Sequence, residues 1–418
     1  MPDSDQDAIL ATGVGVTSAI GQGKDRFIEA LLNGHSNFSV MKRPGRQYLP
    51  EGQVEAGTGA TRFLGAEIPS FAVPDIVPRT VVRTASLSGQ VALTTLHEAW
   101  NDARLGEVDP ARVGLVVGGS NIQQRELTLA HETYRGRLQF LRPTYGLSFM
   151  DSDVCGMCTE VFGIRGLAYT LGGASASGQL AVIHAIQAVE SGQVDVCIAL
   201  GALMDLSYWE CQGFRALGAM GSDVFAHEPE RACRPFDKRR DGFIFGECSG
   251  AVVVEKARSA ARRATEPYAR VAGWAVQMDA NRNPNPSFDG EVSVLNKTLA
   301  KAGLAPETID YINPHGTGST LGDTTELKAI EHCGLKHAHI NATKSLVGHG
   351  LSAAGAVEMV ATLLQMRARR LHPMRNLDEA MDDSFNWARQ PVDHAIQRAV
   401  KMSLGFSGIN TAVCVERL

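Results

Sequence analysis

Ser175 lies in a stretch of small residues, Gly173-Ala-Ser-Ala-Ser-Gly178, where a strand pattern gives way to a helix pattern. Unpaired backbone N–H groups and the positive end of the helix dipole favour a reactive oxygen or a developing anion at such a junction. The stretch nearly matches the nucleophile elbow of hydrolases, but Ser177 stands where that motif needs its second glycine. Two interpretations follow: Ser175 is a reactive group, or the small residues only let two backbone segments approach closely.

Two histidines lie in similar loops of small residues further along the chain. His315 follows a strand pattern at 309–313, and His349 follows Lys344 and precedes a helix pattern. Ligands usually bind beyond the carboxyl ends of strands in α/β sheets, and two imidazoles that donate to one carbonyl oxygen form an oxyanion site. A single histidine is more often structural, so the hypothesis depends on the pair.

Other glycine-rich and cysteine-containing segments lack the spacing of known cofactor sites. The run that starts at Gly13 lacks the third glycine of a dinucleotide fingerprint, and Asp25 stands where a P-loop needs Ser or Thr. Cys155 and Cys158 form a single CxxC pair, whereas a structural zinc site needs a second ligand pair. The sequence therefore predicts no metal site, no bound cofactor and reduced thiols.

The elements that must position these residues follow the pattern of an α/β fold. Short runs of β-branched residues that end in glycine alternate with longer helix patterns, and such runs begin at Arg112, Val194 and Ser249. The segment 178–189 is apolar on nearly every face, which predicts a helix buried on all sides. A helix of this kind needs a layer of structure on each flank.

One pattern occurs twice along the chain. Ala174-Ser-Ala-Ser-Gly178 opens the buried helix, and Leu351-Ser-Ala-Ala-Gly355 opens a second apolar helix. Strand patterns that run into glycine-containing loops precede both helices in the same order. We therefore expect two related halves, residues 1–256 and 257–418, joined through the Ala-, Arg- and Ser-rich segment 257–267.

The composition excludes several classes of protein. The 418 residues are 44% apolar and 20% charged, and 40 Lys and Arg against 45 Asp and Glu give a formal net charge of −5. Apolar runs are shorter than the roughly 20 residues of a membrane span, and the acidic N-terminus differs from a signal peptide. No basic run suggests a nucleic-acid footprint. We expect a cytoplasmic protein that binds neither nucleic acid nor membrane.

Six segments, in this order, resemble the motifs of the β-ketoacyl-acyl-carrier-protein synthases and cover nearly the whole chain. They begin at Leu171, Arg234, His315, Lys344, Ala353 and Gly405. The resemblance implies an α/β architecture, the thiolase fold, in which two duplicated halves form a five-layer αβαβα sandwich. It also implies a homodimer. The expected duplication agrees with the repeated pattern.

Ser175 is the main departure from that family, because condensing members carry a cysteine there. A helix start lowers the pKa of a cysteine thiol so that its thiolate accepts the acyl chain, whereas a hydroxyl needs an adjacent base. The resemblance implies that His315 and His349 stabilise the enolate formed when a malonyl thioester loses CO2, with Lys344 and Glu358 as a supporting ion pair. Ser175 has no evident base except the two histidines, so we expect a poor thioester acceptor and no condensation. Decarboxylation needs no such nucleophile.

This combination resembles the ketosynthase-like decarboxylases of polyketide β-branching cassettes, in which serine replaces the cysteine. The implied reaction converts malonyl-acyl carrier protein to acetyl-acyl carrier protein. The carrier's phosphopantetheine arm would enter a narrow channel lined by Thr317 and Ser319, with Phe406 as a gate and Lys or Arg at the mouth. Ser319 keeps the hydroxyl of the family's threonine, whereas Ser407 replaces a glycine beside Phe406.

Other functions remain open at this level. An acyltransferase that uses a carrier-protein or coenzyme A thioester, through Ser175 or by direct transfer, would keep both histidines. A non-catalytic partner subunit like the chain-length factors would be expected to lose them. An ordinary synthase with an engineered Cys-to-Ser change would have the same features. We predict that Ser175, His315 and His349 converge in one pocket.

Overall fold

The computed structural model describes residues 6–50, 60–221 and 223–418, so the first residues of the acidic N-terminus, 1–5, lie outside it. The strands in the described part are β1 Ile9–Ser18, β2 Gly21–Gln22, β3 Phe38–Val40, β4 Leu64–Ala66, β5 Val113–Gly118, β6 Ala168–Leu171, β7 Val196–Gly201, β8 Phe245–Gly246, β9 Cys248–Lys256, β10 Ala269–Met278, β11 Tyr311–Asn313, β12 His339–Ile340, β13 Arg370–Leu371, β14 Asn386–Trp387, β15 Val392–Asp393, β16 Arg398–Gly405 and β17 Ile409–Glu416. The helices there are α1 Lys24–Leu32, α2 Arg79–Thr84, α3 Leu87–Asp102, α4 Gln124–Tyr134, α5 Tyr145–Ser148, α6 Ser152–Phe162, α7 Ser177–Glu190, α8 Tyr208–Ala216, α9 Ala257–Ala261, α10 Phe288–Ala302, α11 Thr320–His332, α12 Lys344–Val347 and α13 Ala354–Ala368.

The two parts of the chain form sheets with the same strand order. The N-terminal sheet runs β6-β5-β7-β9-β1, and the C-terminal sheet runs β12-β11-β16-β17-β10 and continues past β12 to β14. In each sheet the first three strands are parallel and the next two pairings are antiparallel. The sheets meet where β1 pairs with β10 at Leu10–Arg270 and Ala11–Ala269. The predicted α/β fold with two duplicated halves is confirmed.

Helices cover the outer faces of both sheets and fill the space between them. α7 packs on β7 and β5, and α13 packs on β9 of one sheet and β16 of the other, so these two helices form the middle layer. α3 covers β1 and β9, while α10 covers β10 and β17. One apolar cluster lies between the sheets and one lies on each outer face. This arrangement is the five-layer αβαβα sandwich that the resemblance implies.

The predicted buried helix 178–189 is observed as α7, and α13 is its counterpart in the second half. Each follows a 3-10 turn, Ala174–Ala176 or Leu351–Ala353, whose first residue has φ of +49° or +50°. The two helices cross at glycines, because a Cβ on Gly355 would lie 2.7 Å from the backbone nitrogen of Gln179. The small residues therefore have a packing role, and that role brings the turn with Ser175 to the boundary between the halves.

The remaining predictions about elements have mixed outcomes. The predicted joining segment 257–267 connects β9 to β10 and contains α9, while the division at 256/257 stays a prediction.

Cys155 and Cys158 lie in α6 as free thiols, and burial raises the pKa of Cys155 to about 11. In the described ranges, no group of three or more His, Cys, Asp or Glu is arranged to hold a metal ion. No helix within those ranges is long and apolar enough to cross a membrane.

Candidate active site

The turn before α7 places Ser175 on the wall of a cavity of about 380 Å³. The hydroxyl of Ser177 fixes this turn, since it accepts a hydrogen bond from the Gly173 N–H at 2.8 Å and donates to the Ala174 carbonyl at 2.7 Å. The left-handed φ of Ala174 bends the chain sharply at the same point. Ser175 is therefore half-buried at a fixed position at the start of a helix.

His349 donates a hydrogen bond to Ser175. Its Nε2 lies 2.9 Å from the Ser175 Oγ, and its Nδ1 accepts the backbone N–H of Leu351 at 3.3 Å. Because Nδ1 accepts, the proton of the neutral ring is on Nε2. The same nitrogen cannot accept the hydroxyl proton, so His349 in this tautomer is not a base for Ser175.

His315 lies beside His349, with ring centroids 5.5 Å apart and planes nearly perpendicular at 84°. Its loop is held from two sides: Glu326 accepts the backbone N–H groups of His315 and Gly316 at 2.5 and 2.8 Å, and the Lys344 ammonium donates to the His315 carbonyl. Both rings and Ser175 line one cavity. The structure thus brings together the three residues that the sequence predicts to converge.

The surroundings keep both histidines neutral. Burial lowers the pKa of His315 and of His349 well below the usual value, and the nearby Lys344 and Lys401 charges lower it further. Each neutral ring has one N–H to donate. An oxygen that accepts both N–H groups is stabilised most when it carries negative charge, so the pair suits an oxyanion.

Glu358 lies between two buried lysines. The Lys344 Nζ is 2.5 Å from Oε1, as the predicted ion pair requires, and the Lys401 Nζ is 2.8 Å from Oε2. Sequence analysis missed Lys401, although a lysine between Val400 and Met402 in an apolar strand pattern is a visible signal. Burial lowers the pKa of Lys401 to about 8, and its ion pair with Glu358 opposes that effect. Two cations share one carboxylate here, so the group beneath the histidines carries excess positive charge.

Thr317, Ser319 and Phe406 also line the cavity, where the sequence predicts a channel and a gate. The Thr317 hydroxyl donates to the Ser319 Oγ at 3.1 Å. Ser407, where the resemblance implies a glycine, has φ of +69°, a conformation that favours glycine. The backbone beside Phe406 therefore keeps the shape of a glycine turn at some cost in strain.

Aromatic rings form one wall of the cavity from Phe406 to His349. The Phe406 ring is 6.4 Å from that of Phe214, which is 5.5 Å from Phe243. The Phe243 ring meets His349 edge-on at 5.2 Å. This contact, together with the two hydrogen bonds of the ring, restricts the rotation of the His349 side chain.

Four carboxyl side chains that the sequence analysis did not single out line the same cavity: Asp279, Glu291, Asp323 and Glu326. Asp323 and Glu326 follow His315 within α11, so their spacing was a usable signal. Glu291 lies in the first turn of α10, where acidic residues are common, and gave no signal.

The family models match two parts of the chain: "Beta-ketoacyl synthase, N-terminal domain" over residues 6–260 and "Beta-ketoacyl synthase, C-terminal domain" over residues 268–378. The polyketide biosynthesis malonyl-ACP decarboxylase PksF of Bacillus subtilis is 58% identical over 411 residues, 98% of this chain and 96% of that protein. The 3-oxoacyl-(acyl-carrier-protein) synthase 1 of Haemophilus influenzae is 31% identical over 417 residues, 98% of each chain.

Solved structures have the same architecture. A β-ketoacyl synthase from Burkholderia phymatum matches with a TM-score of 0.85 at 25% identity, covering 99% of this chain and 100% of the other. The ishigamide ketosynthase/chain length factor matches with a TM-score of 0.86 at 25% identity and the same coverage. The matched domains, the full-length relatives and the shared fold agree with the motifs around Ser175, His315 and His349. This chain belongs to the β-ketoacyl synthase family.

Proposed function

We propose that this chain decarboxylates malonyl-acyl carrier protein to acetyl-acyl carrier protein in polyketide biosynthesis. The observation that carries the proposal is the hydrogen bond from His349 to the hydroxyl of Ser175, in a cavity that keeps both histidine donors. None of the described residues that line this cavity is a cysteine. The 58% identity to PksF, which is named a malonyl-ACP decarboxylase, supports the same reaction.

The histidines act on the thioester oxygen of the malonyl group. When the bond to the carboxylate breaks, its electron pair moves toward the thioester, CO2 leaves, and negative charge develops on that oxygen. The N–H groups of His315 and His349 then donate to an enolate oxygen, and the excess positive charge of Lys344 and Lys401 favours the same change. With no acyl group on Ser175, the enolate has no electrophile to attack and takes up a proton.

The hydrogen-bond geometry disfavours the acyltransferase alternative. An acyl-serine intermediate requires a base that removes the Ser175 proton, and His349 presents its own N–H to that oxygen. A non-catalytic partner subunit has no need for two neutral histidines beside a buried ion-pair group. Both alternatives are outcomes of the experiment below.

The substrate arrives on the phosphopantetheine arm of the carrier protein, and the reaction uses side chains of this chain without a further cofactor. The hydroxyls of Thr317 and Ser319, which line the cavity, would bond the arm's amides. Arg240 donates to the carbonyls of Ser319 at 3.3 Å and Thr320 at 2.8 Å, so this guanidinium, which is only 7% exposed, fixes the backbone of this part of the wall. Docking of an acidic carrier should weaken as salt rises, whereas turnover of malonyl-pantetheine without the carrier should not.

A homodimer formed through the β6 edge of the sheet is also part of the proposal. β6 is the last strand of its sheet, and Thr170 in that strand bonds the carbonyl of Asp151 at 2.9 Å. The segment before α6 exposes large apolar side chains, including Leu138 at 72% and Phe140 at 67% exposure. Sedimentation should give twice the 44.8 kDa chain mass, and Phe140→Asp should lower it to that of one chain.

Mass spectrometry of malonyl-loaded carrier protein tests the reaction. We expect conversion to acetyl-carrier protein with loss of CO2 and no condensation product. Unchanged malonyl-carrier protein after incubation with purified protein would refute the proposal. Transfer of an acyl group from Ser175 to a second acceptor would establish the acyltransferase instead.

A further inference from the structure

The proposed reaction needs a proton that a condensing enzyme does not need. In condensation the enolate attacks an acyl group, whereas here its carbon must take up one proton per turnover. His315 and His349 are poor sources, because a neutral imidazole that gave up its N–H would become an imidazolate in a buried cavity and would stop donating to the oxygen. The proton must therefore come from water in the cavity or from an acidic side chain of its wall, and an acid held on the wall is the more efficient donor.

Three of the four cavity carboxyls hold loops in place. Each accepts N–H hydrogen bonds: Asp279 from the Asn410 amide at 2.9 Å, Asp323 from the Phe236 and Gly318 backbones at 2.7 and 3.1 Å, and Glu326 from the loop of His315. Because these hydrogen bonds stabilise the ionised carboxylate, they favour Asp279, Asp323 and Glu326 as acceptors and not as proton donors.

Glu291 differs from those three. Its side chain is fully buried, and neither carboxyl oxygen has a hydrogen-bond partner among the described residues. A buried, unpartnered carboxylate is costly, whereas the neutral acid is tolerated and has an O–H to donate. Three carboxyls act on its charge: Asp279, the residue after β10, and Asp323 and Glu326 of α11. Burial, followed by these three carboxyls, raises the pKa of Glu291 well above the usual value.

We propose that Glu291 is the acid that protonates the enolate carbon. This role rests on the proposed decarboxylation. The O–H bond of Glu291 breaks as a C–H bond forms from the enolate electron pair, which gives the acetyl thioester and a Glu291 carboxylate. A water molecule that enters the cavity after the product leaves then returns a proton to Glu291. Each turnover thus consumes one solvent proton and releases one CO2.

Isotope exchange measures this step separately from bond cleavage. If protonation is slow, the enolate can react with CO2 again and re-form the malonyl group. Carbonic anhydrase equilibrates ¹³C-bicarbonate with ¹³CO2, so this reversal incorporates ¹³C into the unreacted malonyl substrate. Glu291→Gln keeps the shape but has no acidic proton. We expect it to lower kcat by at least about tenfold and to raise the ratio of label exchange to net decarboxylation by a similar factor, with KM little changed.

Two variants serve as controls. Asp289→Asn removes an exposed acid from the same helix turn and should match the wild type in rate and exchange. Glu291→Asp keeps an acid and should recover part of kcat and suppress exchange relative to Glu291→Gln. If Glu291→Gln does not fold, Glu291→Leu, which adds no unpaired amide, replaces it.

The outcomes separate the two proposals. A wild-type protein that releases no CO2 refutes the proposed function. A wild type that is active, with Glu291→Gln within about twofold in kcat, overturns the role of Glu291. Loss of kcat without increased exchange also overturns it, as does increased exchange in Ser175→Ala but not in Glu291→Gln.

Discussion

The rings of His315 and His349 line the cavity, where the His349 N–H donates to Ser175, and removal of either ring should be costly. Since loss of one oxyanion donor typically lowers kcat by about 10²- to 10³-fold, His315→Ala and His349→Ala should each do so. His315→Gln and His349→Asn should lose less, because an amide still donates. Single-turnover decarboxylation followed by mass spectrometry measures these effects.

His35→Ala is a suitable control, since that side chain is exposed. It should keep the wild-type rate. Alanine variants of both active-site histidines that decarboxylate at the wild-type rate would mean that the enolate oxygen is stabilised elsewhere.

Ser175→Cys should restore an acyl-accepting group. A thiol at this helix start ionises far more easily than the hydroxyl, and the His349 N–H stabilises the thiolate. Incubation with an acyl-carrier donor should give a covalent adduct by intact mass in this variant, little in the wild type and none in Ser175→Ala. A kinetically competent adduct on wild-type Ser175 would instead favour the acyltransferase.

At this scale, sequence reasoning found residues that stand out in local patterns and missed those defined by distant neighbours. Ser175 and the two histidines lie in unusual small-residue loops. Glu291 looks like an ordinary acid in a first helix turn, and only the fold surrounds it with three other carboxyls. Its lack of a partner depends on contacts that no local spacing encodes.

At the scale of elements, the crossing of α7 and α13 leaves no room for side chains. Gly355→Ala would place its Cβ 2.7 Å from the Gln179 nitrogen and 2.8 Å from the Gln179 Cβ, so the helices must separate. Such overpacking should lower the free energy of unfolding by about 1–3 kcal/mol. Urea unfolding measures the change, and a loss of activity should accompany it because Ser175 precedes α7.

Gly156→Ala provides the matched control. Gly156 is exposed within α6 and has no atom within 4 Å of an added Cβ. This variant should be stabilised by about 0.5–1 kcal/mol, because alanine favours a helix interior. Equal effects in the two variants would show that the crossing is not tightly packed.

Strong local patterns predicted the elements better than their ends. The runs near Arg112 and Val194 became β5 and β7, and the apolar segment became α7. The strand expected at 309–313 is shorter, because Pro306–Thr308 forms a 3-10 turn and the N–H of Ile309 bonds the carbonyl of Pro306. The layered architecture came from the family resemblance, whereas the pairing of β1 with β10 across the halves was not predicted.

At the scale of the whole molecule, Glu291 couples protonation to folding. A carboxyl whose pKa is raised in the fold contributes most at pH below its unfolded value near 4.5, and that contribution is lost as pH rises toward the folded pKa. Glu291→Gln does not titrate. Its stability relative to the wild type should therefore increase with pH above 4.5, by up to about 1.4 kcal/mol per unit.

Urea unfolding of both proteins across a pH series measures this difference without reference to turnover. The comparison cancels titrating groups that do not interact with Glu291, whereas Asp279, Asp323 and Glu326 interact with its charge and contribute to the same pH-dependent difference. A difference that does not change with pH would mean that Glu291 ionises normally in the folded protein.

The duplication also raises the question of how many pantetheine-linked substrates one chain can bind. Ser352 occupies the position in the second half that Ser175 occupies in the first, after the same left-handed turn. Ser352 is fully buried, however, and its hydroxyl donates to the carbonyl of Ala202 at 3.0 Å. The two helix starts therefore share a backbone shape, but a substrate can reach only the one that carries Ser175. Titration with a malonyl-pantetheine analogue should saturate at a stoichiometry of one per chain, although the fold presents the same helix start twice.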